Sequence, residues 1–377
     1  MSNTPHLPAG IARPALSSVN PYEPGRPIDD VRRELGLERI IKLASNEGPY
    51  PPFPSAIAAV RDAIAGQRLY PDPGSWALRD ALSAHLRVPA DAILVGNGVD
   101  SLIKLLCLAL LDPGDELVMG WPSFISWRQG AGIQAAEVHA APVRADGAYD
   151  LDALAERVTA RTKLVVVVSP NNPTGGAVEA RALARFLDAL PAHVLPVLDE
   201  AYFEYLPTGG HDGAALVGGG GRLVVTRTFS KAYALAGFRV GYLVGPPELV
   251  RLLGRVRNAF DVNGLAQAAA LASLTDTEGH LARRVAEVLS ERGTVDTGLR
   301  AMGLAPLRSH GNFLLVGIGS PERATRLNSA LLSRGIIVRP AGPFGAPEAL
   351  RITIGRPDEN AEMLVAMAAS LRETGPE

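Results

Sequence analysis

The chain has 377 residues, of which 47% are hydrophobic, and its formal net charge is -2 at pH 7. This length and composition allow a large buried core and predict a globular protein of two domains. The sequence has no long run of lysine and arginine, so nucleic acid and anionic membrane surfaces are not expected as the main partner. The composition favours a small-molecule ligand.

Cys107, the only cysteine, lies in the apolar run "SLIKLLCLALL". A single cysteine cannot form an internal disulfide, so a reducing cytoplasm is the expected setting. The N-terminal residues have neither the basic start nor the apolar stretch of an export signal. The run around Cys107 is too short to span a bilayer and contains Lys104. We therefore predict a cytoplasmic protein with Cys107 in its core.

The chain starts with a proline-rich arm, "NPYEPGRP", a helical pattern over 28–37 and the segment "KLASNEGPYPPFP". Each proline removes a backbone donor and restrains the residue before it, so the arm is expected to be extended. Between about 91 and 245, helical patterns alternate with β-branched runs, which are "AILV", "ELVMG", "AEVHAA", "LVVVVS", "VLPVLD", "LVVTRT" and "GYLVG". This alternation predicts an α/β fold with a mostly parallel sheet sandwiched by helices.

The rest of the chain predicts a smaller α+β domain. A helical stretch over 249–299 is followed by "NFLLVGIG", a helix over 323–334, "GIIVRP", "ALRITIG" and a final helix. We expect residues 1–45 to form an N-terminal arm and part of the small domain. Residues 46–275 are expected to form the large ligand-binding domain and 276–377 the rest of the small domain, which is then built from both chain ends.

The stretch "TFSKAYALAGFR" places Lys231 just beyond a predicted strand. In such sheets ligands collect at the carboxyl ends of the strands. A buried amine there has its pKa lowered by desolvation and by nearby cations, and a neutral amine is a nucleophile towards carbonyls. Arg239 can hold a phosphate through two parallel hydrogen bonds, and the hydroxyls of Thr228 and Ser230 can reach the same oxygens. Taken alone, a lysine in such a stretch is more often a surface residue.

The stretch "ILVGNGVDSLIKLL" has the pattern of a strand, a glycine turn and a helix start. The backbone N–H groups of Gly98, Val99 and Asp100 would form an anion site at the helix N-terminus. A dinucleotide-binding motif is the alternative, but Ser101 replaces its third glycine and the next strand runs into Trp121 instead of a ribose-binding acid. We interpret the stretch as a phosphate site for a mononucleotide-sized ligand.

Two further strand ends carry polar side chains. Asp199 ends the apolar strand of "PVLDEAYFEY", with Tyr202 three residues later. An acid there can be a structural cap, a metal ligand or the partner of a buried cation. The seven histidines are scattered without a metal-ligand spacing, so no metal site is expected. Asn172 in "VVVVSPNNPTGG" is placed to offer an amide to a ligand.

These features together describe one cofactor, pyridoxal 5'-phosphate. Its aldehyde suits a reactive lysine, its phosphate suits a helix start and an arginine, and its ring nitrogen suits a strand-end aspartate. The sequence therefore predicts that Lys231 reacts with the aldehyde and that Asp199 keeps the ring nitrogen protonated.

With these residues, the chain resembles fold-type I pyridoxal-phosphate aminotransferases, and most closely the histidinol-phosphate aminotransferase family. The matching motifs run through most of the chain and are "KLASNE", "YPDPGSWALRDAL", "ILVGNGVDSLI", "SPNNPTG", "DEAYFEY", "TFSKAYALAGFRVGY", "GNFLL", "GIIVRP" and "LRITIG". The resemblance implies that Lys231 forms a Schiff base with the cofactor and that Asp199 pairs with the pyridine nitrogen. It also implies that Tyr202 and Asn172 hydrogen-bond the ring hydroxyl and that Phe124 stacks on the ring.

The resemblance further assigns the phosphate site and a second subunit. Arg239, Ser230 and the amides of residues 98–100 would bind the phosphate. Tyr70 of "YPDP" would reach it from a partner subunit, which implies a homodimer with shared active sites.

The substrate residues are also implied by the resemblance. Arg351 matches the arginine that binds the substrate α-carboxylate, Asn312 lies nearby in family members, and Arg339 matches a position that can meet a phosphate on the substrate. Asn46 begins the segment "NEGPYPPFP", which lines the side-chain pocket in relatives. The family usually has "NENPYGPSP" or a near variant there, and the presence of Gly48 for asparagine and Pro51 for glycine bears on the identity of the substrate.

The resemblance implies a reversible transfer of an amino group from an amine donor to a 2-oxo acid, with 2-oxoglutarate and glutamate as the second pair. Histidinol phosphate is the favoured donor because Arg339 beside Arg351 supplies a second cation for its phosphate. An aromatic amino acid such as phenylalanine is one alternative. A threonine-phosphate decarboxylase, which breaks the bond to the carboxylate instead of Cα–H, is another. A cofactor-sensing domain of a transcription regulator is disfavoured because the chain is not basic.

Overall fold

The structure, a computed structural model, describes residues 10–21 and 24–375. The first nine residues, where the sequence predicts no export signal, and Tyr22 and Glu23 of the proline-rich arm lie outside the described residues. The strands are β1 (Ile41–Lys42), β2 (Ile93–Gly96), β3 (Glu116–Trp121), β4 (Glu137–Pro142), β5 (Thr162–Val168), β6 (Leu195–Asp199), β7 (Val224–Thr228), β8 (Gly241–Val244), β9 (Ala305–Pro306), β10 (Phe313–Gly317), β11 (Ile336–Ile337), β12 (Arg339–Pro340) and β13 (Ala349–Thr353). The helices are α1 (Ile28–Leu35), α2 (Pro54–Ala63), α3 (Trp76–Leu86), α4 (Val99–Leu110), α5 (Ile125–Ile133), α6 (Leu151–Ala155), α7 (Ala180–Ala189), α8 (Gly213–Gly218), α9 (Pro247–Leu253), α10 (Gly264–Leu274), α11 (His280–Ala301), α12 (Pro321–Leu332) and α13 (Pro357–Thr374).

The runs predicted as strands between 91 and 245 form one sheet in the order β2-β8-β7-β6-β5-β3-β4. Its strand pairs are parallel except for those of β8, which is antiparallel to both β2 and β7. Every residue of β7 and all but one residue of β5 are buried. Strands that are buried on both faces need a layer of helices on each side, which is the predicted α/β architecture.

The carboxyl ends of several strands meet at one edge of this sheet. β5, β6 and β7 are parallel neighbours, and β2 runs in the same direction because it is antiparallel to β8, as β7 is. The chain leaves this edge at Asp199 from β6 and at Thr228 from β7, and α4 begins at Val99 after β2. The sheet therefore brings the predicted lysine, aspartate and phosphate segments to the same place.

The smaller unit has its own apolar core. Its sheet is antiparallel in the order β12-β13-β10-β9, and Ile41 and Leu43 pack in the same cluster as residues of α11, α12 and α13. β1 pairs in parallel with β11, with Ile41 opposite Ile336. The N-terminal segment thus contributes to a core formed mainly by the C-terminal part of the chain. The exact boundaries at 45 and 275 stay predictions.

The helical stretch predicted over 249–299 is divided into three helices, α9, α10 and α11. The side chain of Asn263 accepts a hydrogen bond from the backbone N–H of Ala266 at 2.8 Å and so caps the start of α10. The apolar residues continue across this cap, which is why their spacing alone does not reveal the break. Within the described ranges, no helix combines the length and the apolar character needed to cross a membrane.

Candidate active site

A cavity of about 390 Å³ lies at the carboxyl edge of the large sheet. Its wall includes most of the residues assigned from the sequence, which are Asn46, Val99, Asp100, Phe124, Asn172, Asp199, Tyr202, Thr228, Ser230, Lys231, Arg239 and Arg351. The strand ends and the small unit thus converge on one site.

Lys231 lies three residues beyond β7, in a turn where its carbonyl accepts from the N–H of Ala234 at 3.0 Å. Its Nζ donates to the carbonyl oxygen of Ser45 at 3.2 Å. Burial, together with the nearby cation of Arg351, lowers the pKa of the Lys231 amine to about 8. A much larger fraction of the amine is therefore neutral near pH 7.5 than in a solvated lysine, as a nucleophile requires.

Asp199 is buried and has one hydrogen-bonded and one unpaired oxygen. The indole Nε1 of Trp127 donates to Oδ2 at 3.0 Å, whereas Oδ1 has no hydrogen-bond partner within the described part of the chain. Burial raises the pKa of the Asp199 carboxyl to about 6. A cationic N–H donor placed at Oδ1 would stabilise the carboxylate, which fits the protonated ring nitrogen of the predicted cofactor.

The phosphate segment has the expected geometry. Gly98 has φ 78° and caps α4, so the first N–H groups of a 12-residue helix point out of its N-terminus. A Cβ at Gly98 would lie 2.7 Å from Nη2 of Arg239, which shows how closely the guanidinium approaches this backbone. The hydroxyl of Thr228 donates to Ser230 Oγ at 3.0 Å. Helix N–H groups, an arginine and hydroxyls together fit a dianionic phosphate.

Tyr202 and Asn172 are held by neighbouring side chains at the edge of the sheet. The Nδ2 of Asn46 donates to the Tyr202 hydroxyl at 2.8 Å. The Oδ1 of Asn172 accepts from Nη1 of Arg351 at 2.5 Å, so the amide nitrogen of Asn172 is the group left to donate to a ligand. Phe124 precedes α5 and lies on the cavity wall, as expected for a ring that stacks on a flat ligand.

The two arginines lie next to each other in the structure but line different cavities. Arg339 and Arg351 are opposite each other in the β12–β13 pair, and both guanidinium carbons lie within 5.3 Å of the centre of the Phe344 ring. Arg351 lines the main cavity, and its Nη2 donates to the carbonyl of Ala44 at 2.6 Å. Arg339 instead lines a smaller cavity with Pro24 and other residues. Its proposed contact with a substrate phosphate stays a prediction.

Two other assigned residues lie away from the cavity wall of their own chain. Asn312 donates through Nδ2 to the carbonyls of Asn46 and Glu47, at 3.2 and 3.1 Å, so it holds the substrate segment in place. Tyr70 is 80% exposed and stacks on Phe260, with ring centres 4.5 Å apart. The contact of Tyr70 with a second subunit stays a prediction.

Some residues of the site were missed in the sequence. Trp127, Ser45, Glu47 and Phe344 contact Asp199 or line the cavity, and none of them belongs to a strand-end pattern. Gly48 lies against the lysine turn, where an added Cβ would be 2.8 Å from the carbonyl oxygen of Lys231. The glycine at this position thus allows a close approach that a residue with a side chain would obstruct.

The structure also assembles a group of side chains at the other edge of the sheet. Side-chain atoms of Glu116, Glu137 and His139 that could bind a metal ion lie within 4.8 Å of one another. The spacing of these residues in the sequence did not indicate the cluster. Nη2 of Arg161 lies 2.7 Å from a carboxylate oxygen of Glu116. The charge of this buried carboxylate is therefore balanced by a guanidinium.

Several known proteins are similar to this chain over most of its length. The family model described as aminotransferase class I and II matches residues 38–367. A histidinol-phosphate aminotransferase of Anaeromyxobacter sp. (strain Fw109-5) is 43% identical over 363 residues, which cover 96% of this chain and 99% of the relative. One of Symbiobacterium thermophilum is 42% identical over 361 residues, with 96% and 99% coverage. The crystal structure of histidinol-phosphate aminotransferase from Sinorhizobium meliloti in complex with pyridoxal-5'-phosphate matches with a TM-score of 0.88 at 27% identity, covering 97% of this chain and 99% of that one.

Proposed function

From the premise that the chain belongs to the aminotransferase class I and II family, we propose that it transfers the amino group of histidinol phosphate to 2-oxoglutarate. The products are imidazole acetol phosphate and glutamate. The cofactor of this enzyme is pyridoxal 5'-phosphate. The choice of histidinol phosphate as the donor rests on the relatives. Proteins that are 42–44% identical over at least 95% of both chains are named histidinol-phosphate aminotransferases.

The substrate end of the cavity supports a polar donor. Ser45, Asn46, Glu47 and Arg351 line it, together with the ring of Phe344. A buried guanidinium suits the phosphate of histidinol phosphate in one half-reaction and the carboxylate of glutamate in the other.

Each residue of the site has a separate role in the proposed reaction. The bound cofactor supplies an aldehyde that takes up the amino group and a ring that accepts electron density. Asp199 holds a proton at the ring nitrogen through its Oδ1. Lys231 Nζ would take the proton from the substrate Cα as a general base, which its pKa of about 8 allows near neutral pH. The Asn172 amide and the Tyr202 hydroxyl orient the ring.

A half-reaction screen tests the proposal. Histidinol phosphate, phenylalanine and threonine phosphate are added separately to the purified holoenzyme, and the absorbance of the bound cofactor is followed. Histidinol phosphate should convert the cofactor at least tenfold faster than phenylalanine, and 2-oxoglutarate should restore the original spectrum. Faster conversion by phenylalanine, or release of carbon dioxide from threonine phosphate, would refute the proposed donor.

We also propose that the enzyme is a homodimer in which Tyr70 of each subunit completes the site of the other. Tyr70 is 80% exposed, and Leu69 and Trp76, which are close to it in sequence, are 61% and 59% exposed. Large exposed apolar side chains in one segment are typical of an interface. Inactive Lys231→Ala and impaired Tyr70→Phe proteins, mixed after gentle unfolding and refolding, should regain activity because one site per mixed dimer is intact. A monomer in solution, or no gain on mixing, would contradict the shared site.

A further inference from the structure

A chain of buried polar side chains connects the ends of the strands that carry the cofactor residues. Ser169 Oγ lies 2.7 Å from Nε2 of His211, and Nδ1 of His211 lies 2.8 Å from Oε1 of Glu200. Nε of Arg227 donates to Oε2 of Glu200 at 2.8 Å. All four side chains belong to residues that are at most 3% exposed, and none of them lines the cavity.

The side chains are held by several hydrogen bonds at once. Glu200 forms an ion pair with Arg227, and its Oε1 lies 2.8 Å from Nδ1 of His211. Ser169 Oγ, which lies 2.7 Å from Nε2 of His211, also accepts from the N–H of Val178 at 3.0 Å. Oε1 of Glu200 also accepts from the N–H of Gly213 at 3.0 Å. Every member of the chain is thus paired, which makes it a rigid connection.

The two ends of this connection adjoin residues of the site. Glu200 directly follows Asp199, and Ser169 precedes Asn172 by three residues. The N–H of Ser169 donates to the carbonyl of Asp199 at 3.0 Å. His211 therefore spans the carboxyl ends of β5 and β6 with side-chain bonds, just beyond the last backbone bond between them.

We propose that His211 is a positioning residue for the cofactor, since its two hydrogen bonds fix the separation between Asp199 and Asn172. The first of these residues is assigned to the ring nitrogen and the second to the ring hydroxyl, so their separation has to match the width of the pyridine ring. A displacement of about 1 Å at either group is enough to weaken such contacts. The inference rests on the proposed cofactor contacts and not on the identity of the amino donor.

Ser169, His211 and Glu200 follow the order of a serine nucleophile, a histidine base and an acid, but Ser169 does not act as a nucleophile. Ser169 is 0% exposed and does not line the main cavity, whereas a nucleophile must reach a substrate. Its hydroxyl is already bonded to His211. These side chains therefore serve to connect the ends of β5 and β6.

Three variants test the proposal through cofactor binding. His211→Asn can keep the donation to Glu200 and loses the bond to Ser169, whereas His211→Gln can keep an acceptor for Ser169 and loses the bond to Glu200. Ser169→Ala removes the hydroxyl and leaves the imidazole in place. His193→Ala is the control, because His193 is exposed and its ring contacts the carbonyl of Thr159, away from this group of side chains.

The dissociation constant of pyridoxal 5'-phosphate is measured by titrating each apoprotein, and the absorbance of each holoenzyme is recorded against pH. We expect the three variants to bind the cofactor about tenfold more weakly and to shift the pH midpoint of its absorbance, while the control does not. Lower thermal stability with wild-type affinity and an unchanged midpoint would overturn the positioning role. Failure of the wild-type protein to bind the cofactor would instead refute the proposed function. The three variants differ in what they keep, so a variant that does not fold leaves the others to decide.

Discussion

The neutral amine of Lys231 leads to a quantitative prediction for the reaction of the apoprotein with pyridoxal 5'-phosphate. Burial, followed by the cation of Arg351, lowers the pKa of this amine from 10.5 to about 8. At pH 7.5 an amine with that pKa is about one-quarter neutral, whereas an amine with a pKa of 10.5 is about 0.1% neutral, so the reactive fraction differs roughly 200-fold. We therefore expect the rate to rise with pH to a plateau with a midpoint near 8.

The rate is measured by mixing apoprotein and cofactor in a stopped-flow instrument and following the absorbance of the bound form between about pH 6 and 10. Arg351→Gln should move the midpoint upward, because it removes a positive charge that disfavours the protonated amine. Arg351→Lys keeps the charge and should leave the midpoint close to that of the wild type. A wild-type midpoint near 10, or equal midpoints for the two Arg351 variants, would refute this account of the lysine.

Three further predictions concern single side chains. Trp127→Phe removes the N–H that is bonded to Asp199, so the pKa of that carboxyl should rise further and cofactor affinity should fall about 10- to 100-fold, as measured by fluorescence titration. Gly48→Ala places a Cβ against the carbonyl of Lys231 and should lower kcat at least tenfold, whereas Gly66→Ala, where a Cβ meets nothing within 4 Å, should not; equal rates would contradict the close packing. Lys231→Ala should abolish turnover and leave the far-ultraviolet circular dichroism unchanged, and substantial residual activity would exclude it as the base.

The ends of the strands could be predicted because the sequence pattern that indicates them lies within a few neighbouring residues. β-branched runs such as that of β5 are apolar at nearly every position, and a lysine or an aspartate that follows such a run must lie near the edge of the sheet. The fold class follows from this pattern, as does the position of Lys231 and Asp199 at one cavity. The division of the 249–299 stretch into separate helices could not be predicted, because the cap at Asn263 interrupts the helix without interrupting the apolar residues.

The residues that the sequence did not reveal depend on contacts between distant segments. Trp127 bonds to Asp199 across 72 positions, and Gly48 packs on the turn of Lys231. The separation of Arg339 from the main cavity also depends on how the small unit packs, because both arginines lie in short strands with similar surroundings in sequence. Local spacing carries no information about such partners.

The opposite pKa shifts of Asp199 and Lys231 share one main cause, burial, and they suit the predicted cofactor better than a simple phosphate ester. Burial raises the pKa of Asp199 from 3.8 to about 6 and lowers that of Lys231 from 10.5 to about 8. Between pH 3.8 and 6 the folded chain binds more protons at Asp199 than the unfolded chain, so this group's contribution to stability falls as the pH rises. Between pH 8 and 10.5 the unfolded chain binds more protons at Lys231, so stability rises with pH. From pH 6 to 8 the protein alone therefore bears the cost of both a buried carboxylate and a desolvated ammonium. A phosphate ester would offer no partner to Asp199 or Lys231, whereas a ligand with an N–H for Oδ1 of Asp199 and an electrophilic carbon for Lys231 would remove both costs at once.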